Sequence, residues 1–133
     1  MGKKNLKGLL IKADIEGNKI ETKVMETSEL RDFYKMLECS VIAITDRKIG
    51  DKSYNIVCDD EGLLKEERIP TFCSVNKEGL VNEFIVGNIF ICNNEGEELT
   101  DLTDEDIKEI LCHQTGFLTQ NFQRIAPVIQ GSY

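Results

Sequence analysis

The sequence predicts an α+β fold: a mainly antiparallel sheet built from hairpins, with two helices packed on it. Three observations lead there. Strand-like stretches come in neighbouring pairs divided by turn residues, and only two segments repeat their apolar residues at helical spacing. The chain also runs twice from an apolar stretch into the same short pattern, Asn55-Ile56-Val57-Cys58-Asp59-Asp60-Glu61-Gly62 and Ile89-Phe90-Ile91-Cys92-Asn93-Asn94-Glu95-Gly96. Asp and Asn bond their own backbone and Gly takes positive φ freely, so each copy reads as a strand that stops and reverses. As a cation loop the pattern fails, because Gly comes too early for an EF-hand.

Along the chain, Leu6 to Ala13 reads as a strand, and Ile20, Thr22 and Val24 alternate with charged residues as a half-exposed partner does. Glu16-Gly17-Asn18 is the expected turn between them. Ser28 is placed to cap a helix whose apolar residues Leu30, Phe33, Tyr34 and Leu37 share one face. Val41 to Ile44 is expected as a short strand, Asp46 to Asp51 as a polar connection containing Gly50, and Tyr54 to Cys58 as the hairpin partner. Pro70 restricts Leu63 to Val75 to an edge strand or a loop. Val81 to Cys92 reads as one buried strand, with Gly87-Asn88 as a bulge or a close backbone approach. Thr103-Asp104-Glu105-Asp106 opens the second helix as a near capping box, Ile107, Ile110 and Leu111 give it a buried face, and Gly116 is its expected stop.

At 133 residues the chain is expected to be one domain, residues 1–116, followed by a tail, residues 117–133, too apolar for a disordered end. That tail, with Phe122, Ile125 and Val128, is expected to pack on the body or on a second subunit. Cys39, Cys58, Cys73, Cys92 and Cys112 are odd in number and widely spaced, which suits free thiols in a reducing cytoplasm better than disulfides or a zinc site. Neither a secretory signal nor a membrane-length apolar run is visible.

The net charge of −8 disfavours binding to a nucleic-acid backbone. Its distribution says more: from Glu95 to Glu109 eight acids stand against Lys108 alone, while Lys3, Lys4, Lys7 and Lys12 precede the first acid. Catalytic signatures are weak. The single histidine, His113, adjoins Cys112, and neighbours on a helix point about 100° apart, which does not make a nucleophile and base pair. Phosphate-loop, dinucleotide and nucleophile-elbow motifs are absent, no cofactor or metal is expected, and acids within a run of acids are most often simply solvated.

The order of Lys7-Gly8-Leu9-Leu10-Ile11-Lys12, the Leu30 to Leu37 helix, Val57-Cys58-Asp59-Asp60-Glu61-Gly62, Phe84-Ile85-Val86-Gly87-Asn88-Ile89-Phe90-Ile91 and Leu102-Thr103-Asp104-Glu105-Asp106-Ile107 resembles a family of small uncharacterised domain proteins carried by bacteriophages, plasmids and conjugative elements. The resemblance spans about residues 7 to 111. It implies a bacterial host cytoplasm and transfers no catalytic residue. An Asn-Arg pair that often follows the Gly turn in that family has Asn76-Lys77 as its nearest counterpart here. Together with the acidic run it leads to the expected function: a non-catalytic accessory protein that engages a bacterial host or anti-phage defence protein through Glu97, Glu98, Asp101, Asp104, Glu105 and Asp106, in the manner of a nucleic-acid mimic. An oligomeric protein that sequesters a small nucleotide or other small ligand is the alternative, and a small enzyme of unknown chemistry the minority one. A purely solvated acidic face is the bland reading of the same residues.

Overall fold

The computed structural model describes residues 6–14, 19–27, 30–60, 70–95, 98–118 and 125–132. Within these the chain runs β1 (Leu6–Asp14), β2 (Lys19–Thr27), α1 (Leu30–Leu37), β3 (Ile42–Ile49), β4 (Lys52–Asp59), β5 (Pro70–Val75), β6 (Val81–Val86), β7 (Ile89–Glu95), β8 (Glu98–Thr100), α2 (Asp104–Cys112), β9 (Gln114–Leu118) and β10 (Ile125–Ser132). The fold is α+β and mainly sheet. The strands follow the order β2-β1-β7-β4-β3-β10-β5-β6, with β8 on β7 and β9 on β10. Among the described residues only β10 and β5 pair in parallel.

The sheet has to curl. Val86 ends β6 and Ile89 begins β7, so about 11 Å of chain at most joins them. In a flat sheet the four strands lying between β6 and β7 would hold them about 24 Å apart. The curl closes the second half of the sheet over the first, and β5 touches β1 while β10 touches β2. Its inner face holds one core, in which Leu9, Ile11, Ile56, Ile89, Ile91 and Ile129 pack around Tyr54 and Phe72. Leu10, Val57, Phe90 and Cys92 point the other way and share a second cluster with Phe33 and Leu37 of α1, where the Phe33 and Phe90 rings lie 5.3 Å apart. Strands β1, β7 and β4 are thus buried on both faces, which explains their unbroken apolar runs.

Four expectations change. β3 runs on through the polar stretch to Ile49, with Thr45, Arg47 and Ile49 turned inward and Asp46 and Lys48 outward, and the turn is Gly50-Asp51, where Gly50 has φ of 67°. Pro70 restricts nothing, because it stands first in β5, where its missing N–H is harmless, and β5 lies between β10 and β6 rather than at an edge. Val81 to Cys92 is two strands: Gly87, at φ of 84°, and Asn88 take the chain from the end of the sheet to its middle. Helix α2 ends at Cys112 with His113 as its cap, and Gly116 lies in β9.

Asn88 has a second task. Its buried amide donates to Met36 O at 3.2 Å and to Glu38 Oε2 at 3.0 Å, closing the C-terminus of α1 where Glu38 takes φ of 52°. Tail residues 125–132 lie inside the sheet as β10, with Val128 and Ile129 fully buried. The Glu16-Gly17-Asn18 turn, Ser28, Lys3, Lys4, Glu61, Gly62, Gly96 and Phe122 fall outside the described residues.

Candidate functional site

The acidic run divides into a buried lock and an exposed rim. Thr103, in an extended conformation, caps α2: its Oγ1 accepts from Asp106 N at 3.1 Å and its own N–H donates to Asp106 Oδ2 at 2.9 Å. The expected capping box therefore forms, with Asp in the place Glu usually takes. The same carboxylate collects donors from two strands. Asn93 Nδ2 reaches Oδ2 at 2.7 Å, while Lys52 Nζ and the Tyr54 hydroxyl reach Oδ1 at 2.9 and 3.2 Å. Burial by itself would raise the pKa of Asp106, but the hydrogen bonds from Thr103, Lys52 and Asn93 outweigh it and hold the carboxyl well below the usual carboxylate range. Burial, and then the Asp106 charge, push the Tyr54 phenol far up.

Asp106 is accordingly not part of a contact surface. It is 7% exposed and both its oxygens are filled from within. Glu97 lies outside the described residues, and Glu98, Asp101, Asp104 and Glu105 are all exposed. They sit on a fixed frame. Asp101 Oδ1 accepts the Lys7 N–H at 2.8 Å, Leu102 N donates to Lys7 O at 3.0 Å, and Asn93 Nδ2 holds Asp101 O at 3.0 Å. The Lys7 ammonium approaches Asp104 at 3.3 Å, an exposed pair that is mostly screened.

The repeated motif therefore does more than turn. Its second copy supplies Asn93 to the lock, and Asn94 Nδ2 donates to Asn55 Oδ1, the first residue of the other copy, at 2.9 Å. Sequence reasoning gave Lys52, Tyr54 and Asn93 no role in the acidic region. The one signal for it was Asp at the third helical position, where a short side chain can be reached from neighbouring strands.

A second feature was not foreseen. Between β6 and the β3–β4 hairpin lies a cleft of about 290 Å³, lined among others by Thr45, Arg47, Cys58, Asp60 and Glu83. Arg47 spans it, with Nε and Nη2 donating to the two oxygens of Glu83, each at 2.9 Å, and Nη1 donating to Thr45 Oγ1 at 2.7 Å. Ser74 Oγ adds a bond to Glu83 at 3.2 Å. A bidentate guanidinium–carboxylate pair is directional, and this one ties two strands that share no backbone pairing.

All five cysteines are free thiols. Burial pushes Cys58 up to about 11, with Asp60 and Asp59 adding to it, and pushes Cys92 up to about 12. Cys112 is exposed. His113 turns to Glu109, with Nε2 3.0 Å from Oε1, rather than to Cys112. Among the described residues no group of acids, cysteines and histidine is arranged to hold a metal ion, and no helix is long and apolar enough to cross a membrane.

Fold and surface define a class: a small α+β domain whose curled sheet is locked at one end by a buried carboxylate, with acids displayed around the lock. The chain belongs to the family of the domain of unknown function DUF3846, whose model matches residues 7–115. No curated protein and no solved structure matches it.

Proposed function

We propose that the protein is a non-catalytic binding module of a phage or other mobile element, acting in the bacterial cytoplasm on a basic surface of a host or defence protein through Glu98, Asp101, Asp104 and Glu105. The observation that carries this reading is the mounting of those four exposed carboxylates on a frame whose backbone is pinned by Lys7, Asn93 and the Asp106 lock. Acids mounted on an ordered backbone steer and orient a basic partner without the cost of ordering the chain, which a flexible acidic tail must meet. The mobile-element setting rests on the resemblance of the ordered motifs between residues 7 and 111.

A nucleotide-sequestering role finds little support in the cleft. Among the described residues the cleft's one guanidinium is already forked onto Glu83, and the exposed Asp60 lines the same cleft, which disfavours a phosphate.

The test is capture from bacterial lysate with the native protein and with a Glu98→Gln, Asp101→Asn, Asp104→Asn, Glu105→Gln variant. Partners that appear with the native protein, vanish with the variant and elute with salt support the proposal. Identical partners on both sink it. Mass spectrometry of the same preparation under native conditions is expected to show no co-purified nucleotide.

A further inference from the structure

The β1–β2 hairpin carries a small cavity on the face turned away from the inner core. Its register sets Leu10 opposite Lys23, Lys12 opposite Glu21 and Gly8 opposite Met25. Alternate strand residues share a face, so Leu10, Lys12, Glu21, Lys23 and Met25 all stand on one side. The same five residues line a cavity of about 230 Å³. Leu10 is buried and Met25 half-buried, both in the cluster that α1 joins through Phe33 and Leu37, and they give the cavity an apolar floor. Lys12, Glu21 and Lys23 are exposed and form its rim.

The charges of that rim do not neutralise one another. Lys12 and Glu21 face each other directly across the two strands, a position from which opposite charges pair. Among the described residues, however, neither they nor Lys23 forms an ion pair, and all three side chains stand around the cavity. Lys23 is the diagonal neighbour of Lys12, a separation of about 7–8 Å that lets two long side chains converge on one anion above the floor. Two ammonium groups against one carboxylate leave the cavity net positive on a chain whose total is −8.

We propose that this cavity binds a small amphipathic anion, one carboxylate or phosphate on a short apolar body. Lys12 and Lys23 hold the anionic group, and Leu10 and Met25 receive the body, the flexible thioether of Met25 adapting to its shape. Size limits the guest. The cavity is smaller than the roughly 300–1,000 Å³ that takes a drug-sized molecule, which restricts the apolar part to a short chain or a single ring. Glu21 limits its charge, because a carboxylate beside the lysines repels a polyphosphate more strongly than a single anionic group. The site uses no residue of the acidic rim, and neither proposal depends on the other.

The test is a nuclear magnetic resonance titration of the whole protein with hexanoate, hexyl phosphate, hexylamine and acetate, read at the Leu10 and Met25 methyl groups. Hexanoate and hexyl phosphate are expected to shift these signals saturably, with Kd of about 1 mM or tighter, and the tighter of the two names the preferred headgroup. Acetate, which lacks the body, binds about tenfold or more weaker, and hexylamine leaves the signals in place. A Lys12→Gln, Lys23→Gln protein loses about tenfold or more in affinity for both anions, a Lys12→Arg, Lys23→Arg protein keeps it, and Glu21→Gln tightens hexyl phosphate. The proposal is overturned by any of four results. They are no saturable shift with either anion, equal binding of hexylamine, equal binding by the glutamine variant, or cross-relaxation from the Lys12 and Lys23 side chains showing another segment of the chain seated in the cavity.

Discussion

One carboxylate decides the character of the acidic end. Replacing Asp106 by Ala strands the donors of Lys52, Tyr54, Asn93 and Thr103, two of them on side chains of buried residues, and is expected to lower unfolding stability by about 3 kcal/mol. Asp106→Asn keeps the shape and one acceptor, and should cost less. The two proteins also differ in acid. Folding holds the Asp106 carboxyl below its unfolded value of about 4, so the stability it contributes is complete above that pH and drains away as pH falls through the window beneath it. Denaturant midpoints measured downward from pH 5 should therefore fall more steeply for the native protein than for Asp106→Asn, and parallel curves would show that the charge contributes nothing. The thiols offer a second check at this scale. With Cys58 pushed up to about 11 and Cys92 to about 12 by burial, neither is nucleophilic at neutral pH. A thiol reagent at pH 7.5 should label Cys112 first and reach Cys58, Cys73 and Cys92 only on unfolding, as counted by intact mass.

Between elements, two glycines separate strain from steric exclusion. A Cβ at Gly87 would meet nothing, so Gly87→Ala carries only the cost of its positive φ, about 1–2 kcal/mol. At Gly131 the backbone is unstrained, but a Cβ would run into Lys48 O and the Phe72 ring where β10 passes between β3 and β5. Gly131→Ala should be the more damaging change in thermal melts, and the reverse ranking would mean the strands are not so closely set. What could be read in advance follows the same division between local and remote causes. The α1 apolar stripe and the Thr103 cap depend on residues close in sequence, and both were legible, while the β3–β4 hairpin was legible as a pair but not in its length or its turn. β5, the break between β6 and β7, and β10 owe their places to partners dozens of residues away, which periodicity does not encode. Pro70 looks like an edge signal until it is seen to stand first in its strand, and Gly87-Asn88 looks like a bulge until the sheet is known to curl. The exposure of Glu98, Asp101, Asp104 and Glu105 was legible, and the burial of Asp106 was not, because a solvated acid and a capping acid share one sequence pattern. The cleft was not, because Arg47 and Glu83 are joined only by the curl.

At the scale of the whole molecule the sheet is not closed by the residues that define the family. The matched segment ends at residue 115, yet β10, at Ile125–Ser132, lies between β3 and β5. It gives β5 its parallel partner from Phe72 to Val75, meets β3 at Lys48, receives β9 along its first half, and takes the His113 carbonyl through Gln130 N at 2.9 Å. Val128 and Ile129 are fully buried, and each such side chain contributes roughly 1.5–3 kcal/mol by leaving water. A domain of ordinary stability, about 5–15 kcal/mol, cannot lose both of them together with the β5 ladder and stay folded. A protein ending at residue 115 is therefore expected to show no cooperative thermal transition and to lose most of its strand signal in circular dichroism. The milder Ile129→Ala should fold and melt lower, by about 2–5 kcal/mol of stability, because it leaves the backbone ladder in place and opens a cavity beside Phe72. Should the protein ending at 115 instead unfold cooperatively at the native midpoint, β10 would be an addition to a sheet already complete without it, and the interior place given to it here would be wrong.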